Sequence, residues 1–83
     1  MTEQEMNQVF SAGDRVRVEY SFRKFFEGCV VFTEKCSGLE WVYVRPDDLK
    51  MIYTFGSARD MDNQYKGYIA NDPVLGKVTK IWQ

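Results

Sequence analysis

A mostly β fold, or an α+β one with short helical additions at the N-terminus and in the C-terminal third, is what these 83 residues predict. Three observations point there. Val16, Val18 and Tyr20 alternate with Arg15, Arg17 and Glu19, the period-two signature of a half-buried strand. Two further runs, Cys29-Val30-Val31-Phe32-Thr33 and Trp41-Val42-Tyr43-Val44, are built of the β-branched and aromatic types that suit a pleated surface, and Cys36-Ser37-Gly38-Leu39 fits a tight hairpin between them. Aromatic residues make up 16% of the chain, enough large rings for a single small core to hold one domain, residues 1–83, together.

Taken in order, Thr2 and Glu5 have the spacing of a capping box, and Met6, Val9 and Phe10 share a helical face, so a short N-terminal helix of about two turns is expected. Ser11-Ala12-Gly13-Asp14 is a turn into the first strand. Ser21 to Glu27, ended by Gly28, reads as a long aromatic and basic loop. In the second and third strands Val30, Phe32, Val42 and Val44 are expected to face the core. Alternation then puts Val31, Trp41 and Tyr43 on an outer face that needs a cover, with Ile69, Ile81 and Trp82 available for it. Pro46 stops the third strand, and Asp47-Asp48 fits a turn or a single helical turn leading into Leu49. Met51 to Phe55 reads as a fourth strand. Ser57 reads as the N-cap of a helix carrying Ala58, Met61 and Tyr65, with Gly67 at its C-cap. Tyr68-Ile69-Ala70 and Lys77 to Trp82 form a last hairpin. Residues 13–55 thus hold the β core, and residues 56–83 a helix and hairpin extension packed on it.

Composition narrows the chemistry. The net charge is −1, but Arg15, Arg17, Arg23 and Lys24 outnumber Asp14 and Glu19 between residues 13 and 24, a mild basic patch on an acidic chain. Two cysteines and no histidine cannot furnish a four-ligand zinc site, and no nucleophile and base pair stands out, so neither an enzyme nor a metal or other cofactor is expected. The N-terminus lacks the pattern of a secretory signal, and no apolar run reaches the roughly 20 residues of a membrane span; a cytoplasmic protein with no membrane role is the expectation.

The segments Gly13-Asp14-Arg15-Val16-Arg17-Val18, Gly28-Cys29-Val30-Val31 and Val42-Tyr43-Val44-Arg45-Pro46-Asp47-Asp48-Leu49 together resemble an SH3-like small barrel of the KOW and Tudor kind. The resemblance implies an antiparallel barrel of about five strands, with the last segment similar to the strand and single helical turn before a closing strand. Barrels of this kind host RNA binding, methyl-lysine reading and peptide docking alike.

The sharpest candidate site is Phe22-Arg23-Lys24-Phe25-Phe26, where rings interleave with cations. Such a group either plugs the end of a barrel or offers a contact surface, in which rings anchor a protein partner or stack on bases while cations meet phosphates. Arg15 and Arg17 flank it on the outward side of the first strand, and Trp41 and Tyr43 form a second candidate on the outer face. The expected function is a non-catalytic binding module that contacts another protein through Arg15, Arg17, Phe22, Arg23, Lys24, Phe25, Trp41 and Tyr43. Accessory or inhibitor proteins of phages and bacteria have this size and composition. The alternative is an RNA- or single-strand-binding barrel using the same loop, and the outer face also suits a homodimer.

Overall fold

A computed structural model describes residues 9–53, 58–60, 62 and 64–81. They form one antiparallel sheet of six strands with a single turn of 3-10 helix, a small barrel-like β fold. The strands are β1 (Arg15–Ser21), β2 (Lys24–Cys36), β3 (Leu39–Pro46), β4 (Ala58–Asp60), β5 (Tyr65–Ala70) and β6 (Val78–Lys80), and the 3-10 helix spans Leu49–Tyr53. Their order across the sheet is β4-β5-β3-β2-β1-β6.

The expected alternation in β1 is present: Val16 and Val18 are fully buried while Arg15, Arg17 and Glu19 face away from the core. Gly13, at φ +93°, makes the turn that leads in, and the Asp14 side chain accepts the Ser11 N–H to close it. Beyond β1 the structure departs from the expected long loop. β2 begins at Lys24, so the connection is the two-residue turn Phe22-Arg23, with Arg23 at φ +58°. Phe25, Phe26 and Glu27 are therefore strand residues whose side chains alternate. Phe26 turns inward against Tyr20 and Tyr68, with ring centroids 6.0 and 5.7 Å away, while Phe22 and Phe25 stay exposed. One phenylalanine of the three plugs the barrel.

Gly28 of β2 stands between its two neighbouring strands, opposite Val16 of β1 and Pro46 of β3. A Cβ there would collide with the Arg45 carbonyl oxygen and come within 2.9 Å of Val44 Cγ1, so the missing side chain is what lets β3 approach. Farther along, the β2–β3 register jumps from Val30↔Val44 to Phe32↔Tyr43, leaving Val31 as a bulge. The bulge corrects one expectation: Phe32 does not join Val30 inside but passes to the outer face.

Two elements of the C-terminal half also differ. Leu49–Tyr53 coils into the 3-10 helix in place of the start of a fourth strand, because Met51 N–H returns to the Asp48 carbonyl and Lys50 N–H to its carboxylate. The remainder of that expected strand, residues 54 and 55, lies outside the described residues. The helix expected over residues 58–65 is absent: Ala58–Asp60 is a strand, paired with Tyr65–Gly67 across a turn. Backbone pairing with β5 outweighs the helical spacing of the side chains. Most of the expected N-terminal helix, residues 2–8, lies outside the described residues; its last two, Val9 and Phe10, are not helical, and Phe10 is buried in the core.

β5 does not merely pack on the first three strands; it extends their sheet by pairing with β3 from Glu40↔Ala70 to Val44↔Lys66. β6 pairs with β1 at the other side, so residues 68–70 and those from Lys77 onward do not form the expected last hairpin: the two strands sit at opposite parts of the sheet order. Lys77 joins the two sides: its N–H donates to Ile69 O at 2.8 Å, and its own carbonyl accepts Glu19 N–H at 2.9 Å. The sheet thus curls back on itself around Val16, Val18, Val42, Val44, Tyr68 and Val78.

Candidate binding surface

On the outward side of β1 and β2, cross-strand pairing sets Arg15 beside Cys29, Arg17 beside Glu27 and Glu19 beside Phe25. Arg15 is half-buried and its fork grips the Asp47 carboxylate, Nη1 to Oδ1 at 2.8 Å and Nη2 to Oδ2, while Nη1 also donates to Cys29 Sγ at 3.2 Å. Glu27 stands 3.8 Å from Arg15 and 3.4 Å from Arg17. The Asp47 turn is therefore held to β1 by charge, which sequence distance hides. Hydrogen bonds from Arg15 hold the Asp47 carboxyl below its ordinary range, and the same contact, aided by Cys29, raises the already high guanidinium value further.

A prediction follows from the sign of that shift. Because the folded state holds the Asp47 proton less tightly than the unfolded chain does, the pair stabilises the fold above the unfolded value near 3.9 and loses its effect as pH falls through the lower folded value. The pair is largely solvent-exposed, so its worth is at most about 1 kcal/mol. Asp47→Asn should lower the urea midpoint at neutral pH, and the gap to the wild type should close below about pH 4. An equal gap at both pH values would refute the assignment.

At the turn the pattern changes. Phe22 is 80% exposed with the Arg23 guanidinium 5.1 Å above its ring; Phe25 is 50% exposed with Arg17 at 5.8 Å. Arg23 and Lys24 make no ion pair among the described residues. Of the expected contact residues, Arg17, Phe22, Arg23, Lys24 and Phe25 thus lie together at one rim, and Arg15 is engaged with Asp47 a few residues along β1.

Trp41 and Tyr43 lie on the outer face as expected, in a different company. Tyr43 stacks on Phe32 at 4.3 Å, and Tyr65 meets both rings edge-on at 5.4 and 5.8 Å. The Tyr43 ring covers Gly67, where a Cβ would come within 2.8 Å of Cε1, and its hydroxyl donates to Glu34 at 3.3 Å. Burial, then the neighbouring Glu34 charge, pushes the Tyr43 phenol up. Trp41 sits half-buried between Glu34 and Ile69 in the ladder. These side chains cover one another. Ile69 is their strand neighbour, Ile81 bonds back to Arg15 on β1, and Trp82 is outside the described residues. The Phe32 contribution escaped the sequence reading because the Val31 bulge carries no glycine or proline to announce it, and that of Tyr65 because its spacing from Ala58 and Met61 fits a helix.

Two shallow clefts, about 360 and 300 Å³, open beside the 39–40/70–72 region and beside the 3-10 helix. Among the described residues no three His, Cys, Asp or Glu side chains converge as metal ligands, and no helix is long and apolar enough to cross a membrane. No family model, no curated protein and no solved structure matches this chain.

Proposed function

We propose that this chain is a non-catalytic binding module that docks onto another protein through the rim around the β1–β2 turn. The observation that carries the reading is Phe22, 80% exposed on a two-residue turn whose flanking strands are fixed in the sheet. A large ring held in water on a rigid support stabilises little in the free chain and is the kind of anchor that dominates protein interfaces. Phe25 widens the apolar spot. Of the four cations a nucleic-acid platform would use here, Arg15 and Arg17 already face Asp47 and Glu27, which leaves only Arg23 and Lys24 to meet phosphates. We read the module as an accessory or inhibitor protein that acts by occupying a partner's surface, in a cytoplasmic setting where both thiols stay free.

The test is retention of a partner from an extract of the native host by the immobilised chain, with Phe22→Ala/Phe25→Ala as the variant. Retention should survive nuclease, fall less than about threefold between about 0.1 and about 0.5 M salt, and drop at least about tenfold in the variant. Loss of retention on nuclease treatment, or a steep salt dependence, would favour single-stranded nucleic acid stacked on the same rings. Undiminished retention by the variant would remove the rim from the account.

A further inference from the structure

The turn between β5 and β6 presents two apolar side chains to water. Val74 is 86% exposed and Leu75 48%. Neither sits in a loose loop, because Asp72 Oδ1 accepts the N–H groups of Val74 at 2.8 Å and Leu75 at 2.7 Å, and Gly76 N–H donates to the Asp72 carbonyl at 3.0 Å. Three successive backbone donors are satisfied within the turn. Its tip can therefore lose water against an apolar surface without orphaning them.

The topology brings this tip toward the phenylalanine rim. Glu19 N–H bonds to the Lys77 carbonyl one step past the Val18↔Val78 pair, so the 72–76 turn adjoins the last residues of β1, and Phe22 follows directly after β1. Charge at this place differs from that along the middle of β1. Arg15, Arg17 and Lys80 each face a carboxylate, whereas Arg23, Lys24 and Lys77 make no ion pair among the described residues, although Glu19 lies across the ladder from Lys77. Cations left without counter-charges gain most where a partner supplies them. An anionic bilayer fits less well, since three cations on a chain of net charge −1 give it little pull.

Resting on the docking function above, we infer that the partner is a protein with an apolar pocket rimmed by carboxylates, which receives Phe22 and the Val74-Leu75 turn together. The photo-crosslinking residue benzoylphenylalanine, placed singly at position 22, 74 or 34 of the full chain, tests this in host extract. Positions 22 and 74 should capture the same protein, position 34 on the ring-covered face should not, and the captured peptides should carry Asp or Glu near the attachment point. With that protein purified, Arg23→Glu/Lys24→Glu should slow association about tenfold at low salt, and Val74→Asp should weaken affinity at least about tenfold, with both variants keeping the wild-type urea midpoint.

Capture from position 22 without capture from 74 would overturn the joint pocket and leave the docking function standing. Capture of no protein from position 22 would overturn both. Captured peptides without acids, or association that charge reversal leaves as fast, would overturn the carboxylate rim. Pelleting of the chain with phosphatidylcholine/phosphatidylglycerol vesicles, abolished by Val74→Asp, would replace the protein partner with a membrane.

Discussion

Gly28→Ala is expected to destabilise the fold by about 3 kcal/mol, enough to leave a chain of this size marginal in a urea titration. The reason is spatial. The backbone at Gly28 has an ordinary φ, yet an added methyl group would drive into the Arg45 carbonyl and the Val44 side chain. A carbonyl in the β2–β3 ladder cannot rotate aside as a flexible side-chain end does, so β3 itself must shift. Gly38 is the control. It sits at φ +78° with nothing within 4 Å of its missing Cβ, so Gly38→Ala should cost only the conformational penalty of about 1 kcal/mol. If the two substitutions shift the midpoint equally, close approach at Gly28 is not what shapes the barrel.

Tyr68→Ala should cost about 3 to 5 kcal/mol, the range for emptying a large ring from a packed interior. Tyr68 is 2% exposed and meets Phe26 edge-on, and Phe26 in turn leans on Tyr20, so the three rings fill one end of the core. A double-mutant cycle with Phe26→Ala should give a coupling of about 0.5 to 1.5 kcal/mol. Phe22→Ala, by contrast, should leave stability within about 0.5 kcal/mol of wild type, because its ring touches solvent. That contrast separates the ring that closes the barrel from the ring offered to a partner. A destabilisation by Phe22→Ala as large as that by Tyr68→Ala would contradict the division.

What could be read from residue order alone follows how local each determinant is. Val16 and Val18 announce β1 because their alternation with arginines is a property of neighbouring positions. The second hairpin is equally legible, since Gly38 supplies a residue at home at positive φ. The β1–β2 turn is not, because Arg23 takes the left-handed conformation without the glycine or asparagine that usually marks it. Residues 58–60 are strand because of their pairing with Tyr65–Gly67 in β5, while the spacing of Ala58, Met61 and Tyr65 suggests a helix. Of the rim, Phe22, Arg23, Lys24 and Phe25 stand together in the chain and could be named at once. The Glu19–Lys77 backbone bond, which ties the start of β6 to the end of β1, has no such local pattern to encode it.

The extra residue at Val31 gives one strand two numbering parities. From Phe26 to Val30 the even-numbered residues of β2 are the buried ones; past the bulge Phe32 and Glu34 stand across from Tyr43 and Trp41 on the outer face. Val31 itself is exposed, so swapping its side chain changes little, whereas deleting the residue would act on the strand as a frameshift acts on a reading frame. Every pairing from Phe32 to Cys36 would slip by one place against β3, and Phe32 would lose its place beside the Tyr43 ring. The identity of residue 31 is thus nearly free, and its presence is not.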